Sequence, residues 1–305
     1  MVSRKRHVPA DVIWVDIDYM NEYRVFTWDP KRFANPKRTI SDLAAMNFKT
    51  VAIVDPGVKL ESGCSVCDSG VKAGIFVKSP DGKLYTGRVW PGASVFPGFN
   101  DSPARKWWAG RISEFVETGL AGIWNDMNEP AVMGIPEGSM PDGVIFHRNG
   151  SAAAAAQVHN VFGRQMSPAT REGLLQAHPD RRPYVLTRAT FAGGQRYAAV
   201  RTGDNVADWL RLQDGIGTLL GMGASGHAFV AVSRSVYAGS GIPATRQDAP
   251  VSGGPCAAKE PGGLNGGTEI RISRRLGARR LAGSAVALRL AILGADPEPG
   301  WPTDP

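Results

Sequence analysis

The fold of this chain can be read outward from one run of residues, Gly122-Ile123-Trp124-Asn125-Asp126-Met127-Asn128-Glu129-Pro130. An apolar segment over residues 116–124 has the length and flanks of a buried strand, and acids and amides begin where it ends. The carboxylates of Asp126 and Glu129 therefore lie at the carboxyl end of a predicted strand. In parallel barrels, this edge of the sheet carries the catalytic residues.

Two carboxylates this close have three interpretations: a metal site, a structural hydrogen-bond network, or an acid/base or nucleophilic centre. In isolation, a capped turn would be the default interpretation of such a run. That default is weaker here, because this run is one of six segments along the chain that share a resemblance described below.

The flanking segments alternate between strand and helix patterns. Apolar, β-prone runs at residues 11–18, 50–55, 183–188 and 225–232 are separated by helical periodicity at 40–48, 102–118, 158–177 and 205–220. This rhythm is typical of parallel βα units. Residues 57–97 break it, with strand-like pieces at 74–77 and 84–89 that predict a hairpin excursion, and residues 136–156 are predicted to form a loop. The pattern predicts an α/β fold, an incomplete (β/α)8 barrel.

Six runs of the sequence resemble, in order and spacing, the catalytic TIM barrel of glycoside hydrolase family 31, the α-glucosidase and α-xylosidase family. The runs are Asp16-Ile17-Asp18-Tyr19-Met20, Phe26-Thr27-Trp28, Ile53-Val54-Asp55-Pro56-Gly57, Val89-Trp90-Pro91-Gly92, Trp124-Asn125-Asp126-Met127-Asn128-Glu129-Pro130 and Thr202-Gly203-Asp204-Asn205. The resemblance covers roughly residues 4–230. It implies that the first and last strands of the family's barrel are missing from this chain.

The resemblance implies retaining hydrolysis of α-linked glucosides without a cofactor. Such hydrolysis needs a carboxylate beneath the sugar and a protonated acid at the leaving oxygen, about 5 to 5.5 Å apart. By the match, Asp126 is the nucleophile, Asp204 is the acid/base, and Glu129 orients the centre. Asp126, flanked by amides and near Arg188, is expected to stay ionised, whereas Asp204 needs a less polar setting to hold its proton.

The implied partner is an α-linked oligosaccharide or an α-glucoside. By the same match, Asp16 and Arg188 hydrogen-bond the sugar, and a buried ion pair is the alternative for these two residues. Five apolar side chains are expected to form the pocket wall: Ile17, Ile53, Trp90, Trp124 and Met127. Because Trp and Ile at strand ends are more often core residues, these assignments depend on the resemblance.

Three positions depart from the family pattern. Arg201 stands where the family has Trp, which places a permanent positive charge beside Asp204 and would make it a poorer proton donor. Gly98 replaces a usual acid, and Ser233 stands where a substrate-binding Asp is expected. A catalytically impaired, truncated relic or a glycan-binding remnant is therefore the alternative to an active enzyme. A barrel with two open edges also predicts marginal stability and aggregation.

The barrel domain is expected to occupy residues 1–232. Over residues 233–305 the composition shifts to Gly, Ala, Pro and Arg, which all have GC-rich codons. We interpret this tail as disordered or as the product of a reading-frame shift. The competing hypothesis is a basic segment that binds nucleic acid, since residues 271–289 have the composition of a basic helix.

Bulk composition argues against several other classes of protein. The 43% hydrophobic content is ordinary for a soluble globular protein. A formal charge of +7 suggests nucleic acid, but no nucleic-acid motif accompanies it, so none is expected as a partner of the barrel. Cys64 and Cys67 form a C-x-x-C pair without the further ligands of a zinc site, so no metal is expected. No signal peptide and no membrane span is predicted, which leaves a cytoplasmic location by default. Nothing indicates the oligomeric state.

Overall fold

The computed structural model of the chain describes residues 10–148, 150–205 and 209–234. The strands, in chain order, are β1 (Val12–Val15), β2 (Lys49–Val54), β3 (Val58–Lys59), β4 (Gly87–Val89), β5 (Gly92–Val95), β6 (Gly122–Asn125), β7 (Ile145–Arg148), β8 (Ser151–Ala154), β9 (Val185–Thr187), β10 (Ala199–Asn205) and β11 (Val230–Arg234). The α-helices are α1 (Pro36–Ala45), α2 (Ser65–Ala73), α3 (Ser102–Val116), α4 (Ala155–Val158), α5 (Phe162–Ala177) and α6 (Trp209–Ala224).

Six strands form the main sheet in the order β1-β2-β6-β9-β10-β11, and all neighbours are parallel. Helices α1, α3, α5 and α6 lie between successive strands of this sheet in the chain. The repeated βα unit is the building block of a (β/α)8 barrel, so the predicted α/β fold with an incomplete barrel is confirmed. Among the described residues, β1 and β11 each have one strand neighbour.

The centre of the sheet is the most buried part of the fold. Strands β6 and β9 are buried at every position, and β2 at every position after Lys49. Parallel strands that are covered on both faces read as continuous apolar runs, which explains why these segments lack alternation. The residues that follow these three strands at their carboxyl ends are therefore attached to the most buried part of the sheet.

Helices α3 and α5 pack closely against each other beside the central strands. The ring of Phe99 lies 5.2 Å from that of Trp108 on α3 and 5.1 Å from that of Phe162 on α5. At Gly173 on α5 the helices approach so closely that a Cβ would lie 2.5 Å from the carbonyl oxygen of Ala109. Only glycine fits this crossing.

The excursion predicted at residues 57–97 contains more structure than a hairpin. Strands β3, β5 and β4 form a three-stranded antiparallel sheet, and α2 lies between β3 and β4 in the chain. The strand-like piece at 74–77 is not a strand, although Phe76 forms an isolated bridge with Pro97. Cys64 occupies the N-cap position of α2 without a capping side-chain hydrogen bond, Cys67 lies within the helix, and both thiols are free.

Two boundaries from the sequence were wrong. The strand predicted at 116–124 is shorter, because α3 continues to Val116 and β6 begins only at Gly122. The loop predicted at 136–156 contains the antiparallel hairpin of β7 and β8 and the start of α4. This hairpin depends on tertiary pairing, since Lys78 bridges to Ile145, and local patterning does not reveal such a contact.

The tail predicted at 233–305 lies outside the described residues except for Ser233 and Arg234, which end β11. Within the described ranges, no helix has the length and apolar character needed to cross a bilayer.

Candidate active site

Three charged residues follow three adjacent strands at one edge of the sheet. Asp55 follows β2, Asp126 follows β6 and Arg188 follows β9. The strands are aligned so that Val54 pairs with Asn125, and Asn125 pairs with Thr187. Parallel pairing in this register places the next residue of each strand side by side. We call the four acids Asp55, Asp126, Glu129 and Asp204, together with Arg188 among them, the carboxylate cluster.

Arg188 holds this cluster together. Its guanidinium forms a two-point contact with Glu129, with Nε and Nη2 each 2.7 Å from a carboxylate oxygen. Its Nη1 donates to Oδ2 of Asp126 at 3.2 Å and lies 3.8 Å from Oδ2 of Asp204. Burial opposes the charge of Arg188, but these partners raise its pKa above the ordinary value. A planar fork with two-point contacts fixes orientation as well as charge.

Asp126 is a buried carboxylate with one hydrogen-bonded oxygen and, in the described part of the chain, one oxygen without a partner. Its Oδ2 accepts from Arg188, whereas Oδ1 has no hydrogen-bond partner among the described residues. Burial raises the pKa of Asp126 to about 6, although the guanidiniums of Arg188 and Arg201 oppose the rise. An acceptor that is desolvated and unpartnered is a reactive group.

Asp55 is a second buried acid next to Asp126. Burial raises the pKa of Asp55 well above its ordinary value, and the negative charge of Asp126 raises it further. Its Oδ1 also has no hydrogen-bond partner within the described part of the chain. Asp55 stood in one of the family-like runs, but the sequence assigned it no role. The strand register, which brings it beside Asp126, is the signal that could have found it.

Asp204 reaches the cluster through an irregularity in β10. Arg201 pairs with Ala231 and Asp204 pairs with Ser233. The two paired positions are therefore three residues apart on β10 but two residues apart on β11, so β10 contains one extra residue. Gly203 adopts a φ of +94°, which suits glycine. In a regular strand, residues three apart point to opposite faces, but the extra residue in β10 brings Arg201 and Asp204 to the same face.

Arg201 is buried and makes two contacts in the site. Its Nη2 donates a hydrogen bond to Oδ1 of Asp204. Its guanidinium carbon lies 4.6 Å from the ring centroid of Trp124, a cation–π arrangement. The positive charge expected beside Asp204 is therefore in direct contact with it.

The environments of the two acids are the reverse of those expected from the sequence. Asp126 is the desolvated group, whereas the side chain of Asp204 is 42% exposed and faces two guanidiniums. The expected less polar setting of Asp204 was wrong, because the irregular β10 brings Arg201 onto the same face as the acid.

Neutral polar side chains next to the cluster form hydrogen bonds with one another and with the backbone. Asn128 donates from Nδ2 to Oγ1 of Thr187 at 2.9 Å and accepts from the backbone N–H of Ala189 at 3.0 Å. Asn125 accepts from Oγ1 of Thr170, which in turn accepts from the indole N–H of Trp108. These bonds tie β6 to β9 and to α3 and α5. The sequence did not assign these roles, because no local pattern marks the partners.

The other residues expected to bind substrate lie at different depths. Asp16 caps the 3-10 turn Ile17–Tyr19, and its charge contributes to the raised pKa of Asp55, so it borders the cluster. Ile17 is partly buried against the core. Met127 accepts from Nη2 of Arg188 through its sulfur at 3.2 Å.

Ile53, Trp124 and Trp90 differ in burial. Ile53 and Trp124 are buried core residues, and Trp124 packs edge-on against Trp14. Trp90, at the turn between β4 and β5, is 40% exposed, and its ring contact is with Tyr23. The described residues contain no group of three or more His, Cys, Asp and Glu side chains arranged to hold a metal ion.

Comparison with known proteins supports a single family. The model for the glycosyl hydrolases family 31 TIM-barrel domain matches residues 2–240. Alpha-glucosidase 2 of Bacillus thermoamyloliquefaciens is 43% identical over 225 residues, which cover 74% of this chain and 28% of that protein. Neutral alpha-glucosidase AB of Homo sapiens is 41% identical over 232 residues, which cover 73% of this chain and 24% of that protein. The chain thus spans about a quarter of the length of these curated relatives.

Solved structures agree with this result. The alpha3-Glc2-bound structure of glucosidase II alpha subunit superposes with a TM-score of 0.73 at 37% identity, covering 79% of this chain and 26% of that one. The family 31 alpha-glucosidase of Bacteroides thetaiotaomicron gives a TM-score of 0.67 at 40% identity, covering 77% of this chain and 37% of that one. Because the family model spans most of the sequence and the relatives match about three quarters of it, the chain belongs to glycoside hydrolase family 31.

Proposed function

We propose that this chain is a catalytic barrel segment of a retaining hydrolase of α-linked glucosides, with Asp126 as nucleophile and Asp204 as acid/base. The main support is that one atom, Nη1 of Arg188, lies within ion-pair distance of both carboxylates. Acids from two different strand ends thus converge on one guanidinium, as a paired-carboxylate mechanism requires. Similarity to proteins named α-glucosidases supports the class of sugar and linkage.

In the first step, the carboxylate of Asp126 attacks the anomeric carbon, the bond to the leaving oxygen breaks, and the proton of Asp204 passes to that oxygen. In the second step, water attacks the same carbon and gives a proton to Asp204, and Asp126 leaves as a carboxylate. Asp126 is suited to attack because its hydrogen bond from Nη1 of Arg188 fixes the orientation of its carboxylate at the carboxyl edge of the sheet. Glu129 holds Arg188 in the orientation that stabilises the charge on Asp126.

For substrate binding, we propose that Asp16 and Arg188 accept and donate hydrogen bonds to the sugar hydroxyls. Ile17 and Met127 form the near wall of the pocket, while Ile53 and Trp124 support it from within the core. The exposed face of Trp90 is suited to stacking on a sugar ring, because a flat apolar surface fits the ring's C–H face.

The first test is hydrolysis of 4-nitrophenyl α-glucoside by the chain and by its Asp126→Ala variant. Turnover that disappears in the variant, with the α-anomer of glucose as the first product seen by NMR, is the expected result. Asp42→Asn is the matched control, because Asp42 lies on α1 with a side chain that is 68% exposed. Equal turnover in the chain and the Asp126→Ala variant would overturn the proposal.

A second candidate is a glycan-binding remnant without turnover. The contact between Arg201 and Asp204 favours it, because a cation on the acid opposes proton donation. Calorimetric titration with an α-linked glucose disaccharide separates the two: heat of binding without product supports the remnant, and product formation that depends on Asp126 supports the enzyme.

A further inference from the structure

We propose that this site prefers α-glucosides whose leaving group departs without receiving a proton, such as fluoride or an acidic phenol, and that Arg201 sets this preference. The inference rests on the proposed function and narrows its substrate class. It follows from the contacts of Asp204, the residue that would otherwise protonate the leaving oxygen.

Both oxygens of Asp204 face cations. Oδ1 accepts a hydrogen bond from Arg201, and Oδ2 lies 3.8 Å from Nη1 of Arg188. Protonating Asp204 would remove a negative charge from between two guanidiniums. Guanidinium groups only donate hydrogen bonds, so these contacts engage Asp204 as an acceptor and oppose its use as a proton donor.

Arg201 is held in this position by its surroundings. It is 4% exposed, it packs over Trp124, and the extra residue in β10 fixes it on the same face as Asp204. Its Nε has no hydrogen-bond partner within the described ranges. A buried guanidinium requires a compensating anion, so Arg201 and Asp204 depend on each other.

The two steps of the reaction are affected differently. In the first step Asp126 attacks the anomeric carbon, and the leaving group departs with the bonding electrons as fluoride or phenolate, so no proton is needed. An alkoxide is far more basic and needs a proton, and the cation contacts of Asp204 oppose that transfer. In the second step the Asp204 carboxylate accepts a proton from water as the water oxygen attacks. Because Asp204 is 42% exposed, it can pass this proton to solvent. In total, one water is consumed, and one anion and one proton are released.

The test compares kcat/KM for α-glucosyl fluoride and methyl α-glucoside in the unsubstituted chain and in R201M, which removes the charge but keeps an unbranched side chain. Because general acid catalysis contributes about 100-fold or more, the fluoride-to-methyl ratio is expected to fall at least ~10-fold in R201M. R201K keeps a positive charge and is expected to keep a high ratio. R111M is the matched control, because Arg111 pairs with Glu114 on the surface of α3.

A ratio unchanged in R201M would overturn the inference while leaving the proposed function intact. Absence of fluoride hydrolysis that depends on Asp126 would overturn the proposed function, and the inference with it. If R201M does not fold, a measurement on the unsubstituted chain still tests the inference. Its kcat/KM for a series of aryl α-glucosides is expected to rise steeply with the acidity of the phenol. A flat dependence would also overturn the inference.

Discussion

Asp126 and Asp55 are neighbouring acids in a desolvated setting, and burial has opposite consequences for catalysis and for stability. For catalysis, a buried carboxylate with an unpartnered oxygen is a strong nucleophile once it is ionised. For stability, two buried acids side by side resist ionisation, and in the described part of the chain the positive charges of Arg188 and Arg201 oppose this. Both consequences can be measured as functions of pH.

Activity is expected to fall as the pH decreases through about 6, because the nucleophile must be ionised and burial raises the pKa of Asp126 to about 6. The measurement is kcat/KM for 4-nitrophenyl α-glucoside against pH, which reports the groups of the free enzyme. In E129Q the acid limb is expected to move to lower pH, since the charge of Glu129 raises the pKa of Asp126, while the amide oxygen of glutamine can still accept a hydrogen bond from Arg188. An acid limb near pH 4 in the unsubstituted chain would contradict this account.

Stability is expected to depend on pH through Asp55. Its pKa in the folded chain lies above the value of about 3.9 in the unfolded chain. The folded state therefore binds more protons above that pH, and the free energy of unfolding falls as the pH rises. D55N cannot ionise, so its Tm should exceed that of the unsubstituted chain by an amount that grows as the pH rises from about 4 towards the pKa of Asp55 in the folded chain. A difference that does not change with pH, or one matched by D42N, would contradict this.

At the scale of elements, the alternation of strands and helices was predictable, because apolar periodicity follows directly from burial. The acids after β6 could be found because they lie in a family-like run, and the arginine after β9 was assigned by the same resemblance although it lies outside the six runs. The charge of Arg201 beside Asp204 was expected from the sequence, but the place of Asp55 and the packing of Arg201 over Trp124 could not be predicted, because both depend on how strands align. A hydrophobic pattern specifies that a strand exists, but not that β10 carries one residue more than its neighbour.

The crossing of α3 and α5 is expected to be sensitive to one methyl group. In G173A the new Cβ would lie 2.5 Å from the Ala109 carbonyl, so the helices must separate, and a loss of about 1–3 kcal/mol in the free energy of unfolding is expected. G110A is the matched control on α3: its Cβ meets no atom within 4 Å, so a gain of about 0.5–1 kcal/mol is expected. Chemical denaturation measures both. Equal effects of the two substitutions would contradict the packing described.

At the scale of the whole molecule, one core of buried residues extends from Val12 on β1 to Ala231 on β11. Continuity of this core favours unfolding as a unit, while the outer edges of β1 and β11 have no partner strand among the described residues. Unpaired edges template association between chains. The marginal stability and aggregation expected from the sequence therefore remain a prediction. The open edges favour aggregation, and the continuous core opposes it.

Heating the chain at several concentrations is the test at this scale. Edge pairing predicts light scattering that begins before the change in circular dichroism, and an onset temperature that falls as the protein concentration rises. A sharp transition of a monomer, independent of concentration, would contradict the expectation and indicate that the continuous core dominates.

The alignment of β2, β6 and β9 also has a mechanical consequence. If β6 slid by a single residue against its neighbours, Asp126 would point to the opposite face of the sheet, away from Arg188. A shift of one residue therefore leaves no partly active form. The strands either keep their alignment, with Asp126 beside Arg188, or lose this contact completely. Catalytic activity would therefore report whether the strands are correctly aligned, because it would be lost in one step when they shift.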